Sequence, residues 1–266
     1  MRNMGIITKG DNFEAGILTL HLGTSLTTKG ISTWYERDCV KNFDTTDLIL
    51  VLGGDGTMLR AFQNYGHLQI PFLCINFGTV GFLSSLEPEE IINYWDLIID
   101  GNYKLDERSV LRVSITRKEG YKDLSYYALN DAVIRTTDLH VSRQVLKVDE
   151  KELCTCEGDG LIISTSTGST GYALSAGGAI VDPKIDCIIV NSICPRKTSL
   201  RTMLFDLDHN LEVISLDRRP LTVFVDGIES TKINQGDSIT IERADIKARF
   251  VSLNPDRYFN LLRSKA

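Results

Sequence analysis

One acidic residue stands among glycines where an apolar run ends. Residues 48–59 read Leu-Ile-Leu-Val-Leu-Gly-Gly-Asp-Gly-Thr-Met-Leu, which centres Asp55 in Gly53-Gly54-Asp55-Gly56-Thr57. Glycines let backbone N–H groups approach a ligand closely, and a following helix N-terminus adds partial positive charge. Both features suit a polyphosphate. A carboxylate in that anion-friendly turn would repel phosphate unless it had a task, either ligating magnesium or taking a proton from an attacking hydroxyl. The plain alternative is a strand-to-helix turn with a capping Asp, since Gly and Asp are ordinary turn residues.

A second tract fills residues 158–181. It opens Gly158-Asp159-Gly160, runs through Ser164-Thr165-Ser166-Thr167-Gly168-Ser169-Thr170-Gly171-Tyr172-Ala173-Leu174-Ser175, and closes on Ala176-Gly177-Gly178-Ala179-Ile180-Val181. Its hydroxyls and free N–H groups can hold ribose and amide groups. A surface loop is the competing reading, although an ordinary loop rarely carries Gly-Asp-Gly and Ala-Gly-Gly at its two ends.

The elements that must position these residues change character along the chain. In the first hundred residues, apolar strands at 4–8, 48–52 and 71–76 alternate with helices at 11–22, 57–65 and 87–99, the last opened by Pro88 and two glutamates. Strands apolar on both faces and separated by helices predict a doubly wound parallel sheet, whose ligands bind at the carboxyl ends of strands. The Gly53–Thr57 turn lies at such an end. Beyond Leu105, strands are expected at 110–116, 126–135, 141–149, 151–156, 160–165, 187–192, 211–216, 221–225, 238–242 and 249–253, with only 170–177 briefly helical. An amphipathic helix at 255–265 closes the chain. The fold expected is an α/β N-terminal domain, Rossmann-like with a mostly parallel sheet, over residues 1–106 and completed by 254–266. A β-rich C-terminal domain of antiparallel sandwich type occupies 107–253.

At 266 residues, with 42% hydrophobic and 24% charged residues, the composition is that of a soluble globular protein. A net charge of −6 argues against general nucleic-acid binding, while leaving a local nucleotide site possible. None of Cys39, Cys74, Cys154, Cys156, Cys187 and Cys194 forms a CxxC pair, and four lie in apolar stretches, as reduced, buried thiols do. The sequence offers no basic-then-apolar leader and no apolar run of membrane-spanning length, so a cytoplasmic location without membrane contact is expected.

Four motifs in order carry a resemblance to the NAD kinase family over essentially the whole chain. They are Gly53-Gly54-Asp55-Gly56-Thr57, then Asn76-Phe77-Gly78-Thr79-Val80-Gly81-Phe82-Leu83, then Leu129-Asn130-Asp131, and finally the 158–181 tract. The first is shared with diacylglycerol kinases, sphingosine kinases and phosphofructokinases; the last is far more specific. The chain departs from the family's usual pattern with Ser166 for Pro, Gly171 for Ala, Asp131 where Glu is frequent, and Glu157 where many members are basic. The shorter Asp131 must reach its partner through a shifted backbone or water, and Glu157 removes any ion pair with the ligand there.

The resemblance implies transfer of the γ-phosphoryl group of ATP, with polyphosphate as a possible donor, to the 2′-hydroxyl of the adenosine ribose in NAD. Asp55 would be the general base. Gly53, Gly54, Gly56 and Thr57 would form the phosphate-donor loop, and magnesium would arrive on the nucleotide rather than on protein side chains. NAD-binding positions so implied are Asp55, Gly56, Asn130, Asp131, His140, Asp159, Thr170, Gly171, Tyr172, Ala173, Leu174, Ser175 and Asp226. For Asp226 a β-turn role competes, and for Tyr172 a core role. Arg196, Lys197 and Arg201 form a basic cluster able to receive phosphates, or else a solvated loop. The family assembles as homodimers or homotetramers. Two other classes stand beside this reading. A lipid kinase of the diacylglycerol type would leave the 167–175 tract without a purpose, and a non-catalytic NAD sensor would gain nothing from Asp55.

Overall fold

The computed structural model describes residues 1–10, 12–36, 43, 45–79, 81–118, 123–138, 140–196 and 201–265. The chain divides into two compact units, one of Met1–Glu107 with Ala248–Ala266 and one of Arg108–Lys247.

The first unit is a parallel α/β layer. β1 (Asn3–Thr8), α1 (Phe13–Thr28), β2 (Ser32–Tyr35), β3 (Leu48–Gly53), α2 (Asp55–Tyr65), β4 (Phe72–Asn76) and α3 (Ile91–Ile99) follow one another in sequence. The strands line up in the order β2-β1-β3-β4, all parallel. Every residue of β3 and β4 is buried, as strands covered on both faces must be. Apolar residues of the sheet pack with Leu22 and Leu26 of α1 and with Ile91, Ile98 and Ile99 of α3.

The second unit is antiparallel. It holds most of β5 (Lys104–Thr116), then β6 (Leu124–Ala128), β7 (Asp131–Arg135), β8 (Ser142–Val148), β9 (Lys151–Gly158), β10 (Gly160–Thr165), the short α4 (Tyr172–Ser175), β11 (Cys187–Ile193), β12 (Met203–Asp206), β13 (Leu211–Ser215), β14 (Leu221–Val225) and β15 (Ile228–Ile233). One sheet runs β12-β11-β10-β7-β14-β15; another pairs β9, β8 and β13 with the first residues of β16 (Ser238–Ser252). Both sheets share one core, in which Leu161, Ile163, Ile188 and Val223 meet Leu146, Val213, Ile239 and Ile241. The end of β16 belongs to the first unit, where Phe250 pairs in parallel with Phe72, and α5 (Arg257–Lys265) follows.

Several expected elements take a different form. The strand expected over 126–135 is broken at Leu129-Asn130, where backbone amides bond a side chain instead of a neighbouring strand. The strands expected at 238–242 and 249–253 are one strand of 15 residues. The helical stretch expected at 170–177 is a 3-10 turn, Thr167–Thr170, followed by a single α-turn. Among the described residues no helix is long and apolar enough to cross a membrane.

Candidate active site

Strand β3 delivers Gly53 to the carboxyl edge of the parallel sheet, and α2 begins two residues later. A Cβ on Gly53 would overlap the Thr57 side chain, so glycine is required for the chain to turn this tightly. Gly54 is the N-cap of α2 and supplies no side-chain cap; Asp55 is the first helical residue. Its carboxylate does not cap the helix. Instead Oδ2 accepts the backbone amide of Phe82 at 3.0 Å and Oδ1 that of Leu83 at 3.1 Å. Two N–H donors fix the orientation of the half-buried group. The loop after β4 thus aims the acid. Cys74, buried beneath the turn with Sγ 3.7 Å from the Gly53 carbonyl, has its thiol pushed well up by burial, with the Asp55 charge adding to the effect.

A cleft of about 1010 Å³ opens at this turn. Gly54, Asp55, Gly56 and Thr57 line it together with Lys9, Arg60, Gly78 and Thr79. Arg60 also pairs with Glu36 at 2.5 Å. Neither Lys9 nor Arg60 stood out in the sequence. Lys9 directly follows β1 at the carboxyl edge of the sheet, and Arg60 lies in the second turn of α2, so topology was the signal that could have found them.

In the second unit, Asn130 and Asp131 sit where β6 gives way to β7. Asp226, at φ 49° in the turn between β14 and β15, is buried beneath them. Its Oδ2 accepts the Leu129 amide at 2.9 Å, and its Oδ1 accepts those of Asn130 at 2.7 Å and Asp131 at 3.1 Å. Asp226 thus ties down the backbone of all three neighbours. Asp131 is itself 5% exposed, and burial, reinforced by the Asp226 charge, pushes its carboxyl up to about 7. Asn130 Oδ1 is a buried acceptor with no partner among the described residues. Gly171 borders both side chains: a Cβ there would stand 3.5 Å from Asn130 Nδ2 and 3.9 Å from Asp131 Oδ2.

The other residues singled out in the sequence fall into distinct settings. Tyr172 accepts a hydrogen bond from Arg135 Nη1 at 3.1 Å and packs with Val133, Ile162 and the fully buried Ala173. Thr170 donates to the Thr167 carbonyl at 3.3 Å, while Leu174 and Ser175 are exposed. Asp159 is half-buried, and its backbone bonds Thr136 and Ile193. His140 Nδ1 meets Thr136 Oγ1 at 3.1 Å and contacts the Asp138 carboxylate, which Thr136 and His140 together hold down at about 2. In the basic cluster, Arg196 lies 3.7 Å from Glu157, which also pairs with Arg143 at 3.2 Å, and Arg201 is exposed. Lys197 lies outside the described residues, as does Cys39. Among the described residues no group of three or more His, Cys, Asp and Glu side chains could hold a metal ion.

The chain matches known proteins along most of its length. Residues 11–103 match the ATP-NAD kinase N-terminal domain and residues 129–253 the ATP-NAD kinase C-terminal domain. The NAD kinase of Geotalea daltonii is 37% identical over 255 residues, covering 93% of this chain and 84% of the relative. That of Dehalococcoides mccartyi is 30% identical over 264 residues, covering 97% and 93%. Among solved structures, an NAD kinase from Archaeoglobus fulgidus in complex with ATP superposes with a TM-score of 0.81 at 26% identity, covering 98% of this chain and 97% of its own. Yeast NADH kinase complexed with NADH has the same fold, with a TM-score of 0.91 at 23% identity over 100% of this chain and 87% of its own. With both halves matched in order and relatives at 30% identity or above across nearly all of its length, the chain belongs to the NAD kinase family.

Proposed function

We propose that this chain, an NAD kinase, uses Asp55 as the general base in the transfer of the γ-phosphoryl group of ATP to the 2′-hydroxyl of the adenosine ribose in NAD. The ribose oxygen attacks the γ-phosphorus, the bond from phosphorus to the bridging oxygen breaks, and ADP leaves with that electron pair. Asp55 takes the hydroxyl proton. The supporting observation is a carboxylate clamped by two backbone amides at the lip of a cleft lined with glycines, with Lys9, and with Arg60 and its partner Glu36. The transfer is mostly positioning and charge stabilisation, so a fixed acceptor suits it better than a strongly basic one. Gly54, Gly56 and Thr57 would meet the donor's phosphates, with Lys9 and Arg60 offsetting their charge. Magnesium would supply further neutralisation of the phosphates; it binds chiefly through phosphate oxygens and water, which fits a cleft without a protein cage.

On the second unit, Asn130 Oδ1 is a desolvated acceptor suited to an amino or hydroxyl donor of NAD. Asp131, Gly171 and Tyr172 border it or follow it in the same tract and would complete the dinucleotide pocket. His140, Asp159, Thr170, Ala173, Leu174 and Ser175 remain proposed NAD contacts, as do a cytoplasmic location and a dimeric or tetrameric state. Neither the lipid kinase nor the sensor reading gains support from the relatives. The deciding measurement is NADP formation by Asp55→Asn alongside its affinity for NAD. Turnover should vanish while NAD affinity stays within about three-fold, because the isosteric amide preserves shape but loses the proton acceptor, together with one of the two bonds from the Phe82 and Leu83 amides. Full activity in that variant overturns the assignment. Running the assay with ATP and polyphosphate against NAD and NADH defines the donor and acceptor.

A further inference from the structure

We infer that Arg257, on the C-terminal helix α5, is a positioning residue for Asp55, acting by clamping the loop whose backbone amides aim that carboxylate. The amides of Phe82 and Leu83 both donate to Asp55, so the path of their loop bears directly on where its carboxylate points. That loop contains Gly78 and Gly81, and glycines leave a loop freer than other residues do. An outside anchor is required to hold it.

Arg257 supplies the anchor. Its side chain is 15% exposed, and among the described residues its guanidinium contacts Ser84, Glu87 and Glu90. Nε donates to the Ser84 carbonyl at 2.7 Å, Nη2 to Ser84 Oγ at 3.1 Å and to Glu87 Oε1 at 2.6 Å, and Nη1 to Glu90 Oε2 at 3.4 Å. The contacts to the Ser84 hydroxyl and to Glu87 are relayed toward the cleft. The Ser84 hydroxyl donates to the Gly81 carbonyl at 3.0 Å, one residue before the first Asp55 donor. Glu87 Oε2 accepts Asn76 Nδ2 at 3.0 Å, and Asn76 Oδ1 in turn accepts the amide of Gly78 at 3.2 Å. Next along α5, the Tyr258 ring lies 5.8 Å from that of Phe82. Both ends of the loop are therefore tied to one helical turn. The forked guanidinium geometry is essential here, because a lysine ammonium cannot reach a carbonyl, a hydroxyl and two carboxylates at once.

The inference rests on Asp55 being the proton acceptor. Arg257→Lys and Ser84→Ala, assayed with Asp55→Asn beside them, test both ideas separately. Arg257→Lys should lower kcat by about 10- to 100-fold, as a misplacement near 1 Å does, with KM for NAD and ATP within about two-fold. Ser84→Ala should lower kcat less, and the double variant should fall no further than Arg257→Lys alone, because the two residues act in series. In Arg257→Ala, added guanidinium should restore part of the lost kcat, as it will not in Asp55→Asn. Wild-type kcat in Arg257→Lys, additive losses in the double variant, or a loss confined to KM each overturns the clamp. Activity in Asp55→Asn overturns the base assignment instead. If Arg257→Ala does not fold, the Lys variant and the Ser84 cycle decide alone.

Discussion

Gly168 faces Asn130 so closely that a Cβ on Gly168 would overlap the Asn130 carbonyl oxygen. The same carbonyl accepts the Thr165 amide at 2.9 Å, so the 3-10 turn after β10 and the strand break before β7 are pressed together backbone to backbone. This approach places the glycine-rich tract against the Asn130-Asp131 corner without any long side chain to bridge them.

Gly168→Ala should therefore separate the tract from the corner. The overlapped atoms are backbone and cannot swing aside, so relief requires a shift of the whole turn, costing about 1–3 kcal/mol. Titration calorimetry should show NAD affinity lowered by about ten-fold or more, with a lower thermal midpoint. Unchanged affinity would mean that this corner does not hold the dinucleotide.

Asp226→Ala removes the acceptor for three amides at once. Each buried donor left unsatisfied costs about 1–3 kcal/mol, so urea unfolding should show a loss of about 3 kcal/mol or more. NAD affinity should fall with it, because Asn130 loses its support. A variant of wild-type stability would show that water replaces the carboxylate.

Asp131 gives the fold a pH dependence whose sign is opposite to that of an ion-paired acid. Its carboxyl is raised from 3.8 to about 7 by burial and then by Asp226, so the folded state favours the protonated form. Its contribution to stability is complete below the unfolded value and is lost as pH rises from about 4 through about 7. Asp131→Asn should melt at a higher temperature than the parent chain at pH 8, and the gap should narrow steadily toward pH 5. A gap independent of pH between 5 and 8 would mean that the acid titrates elsewhere.

The elements most legible in the sequence are those with the strongest patterns. Strands β3 and β4 read as unbroken apolar runs because both their faces are covered, and β10 and β14 stand out for the same reason. Edge strands gave no such signal. β2 buries only Trp34, β12 buries none of its four residues, and β15 buries only Ile233, so their compositions resemble loops. β16 looked like two strands because small Ala244 and Ala248 take its inward positions among charged neighbours. At the site, Asp55 and its glycines were visible because a carboxylate in an anion-friendly glycine turn needs a task. Its two amide donors were not, because any residue supplies a backbone N–H. Asp226 is 96 residues from Asn130 in sequence, and only folding brings them together.

Gly81 offers the sharpest test of how Asp55 is held. A Cβ at this position would run into the Asp55 carboxylate, so even alanine must displace either the acid or the loop that binds it. The neighbouring donors, Phe82 and Leu83, lie on that same loop, and moving it lengthens both of their bonds. Gly81→Ala should leave NAD and ATP binding within a few-fold while kcat falls by about 100-fold, the cost of a misdirected catalytic group. Steady-state kinetics with each substrate varied, and a thermal melt to establish folding, separate these quantities. Retention of wild-type kcat by the folded variant would show that the carboxylate tolerates displacement, and an aimed Asp55 would then be an untenable basis for the transfer.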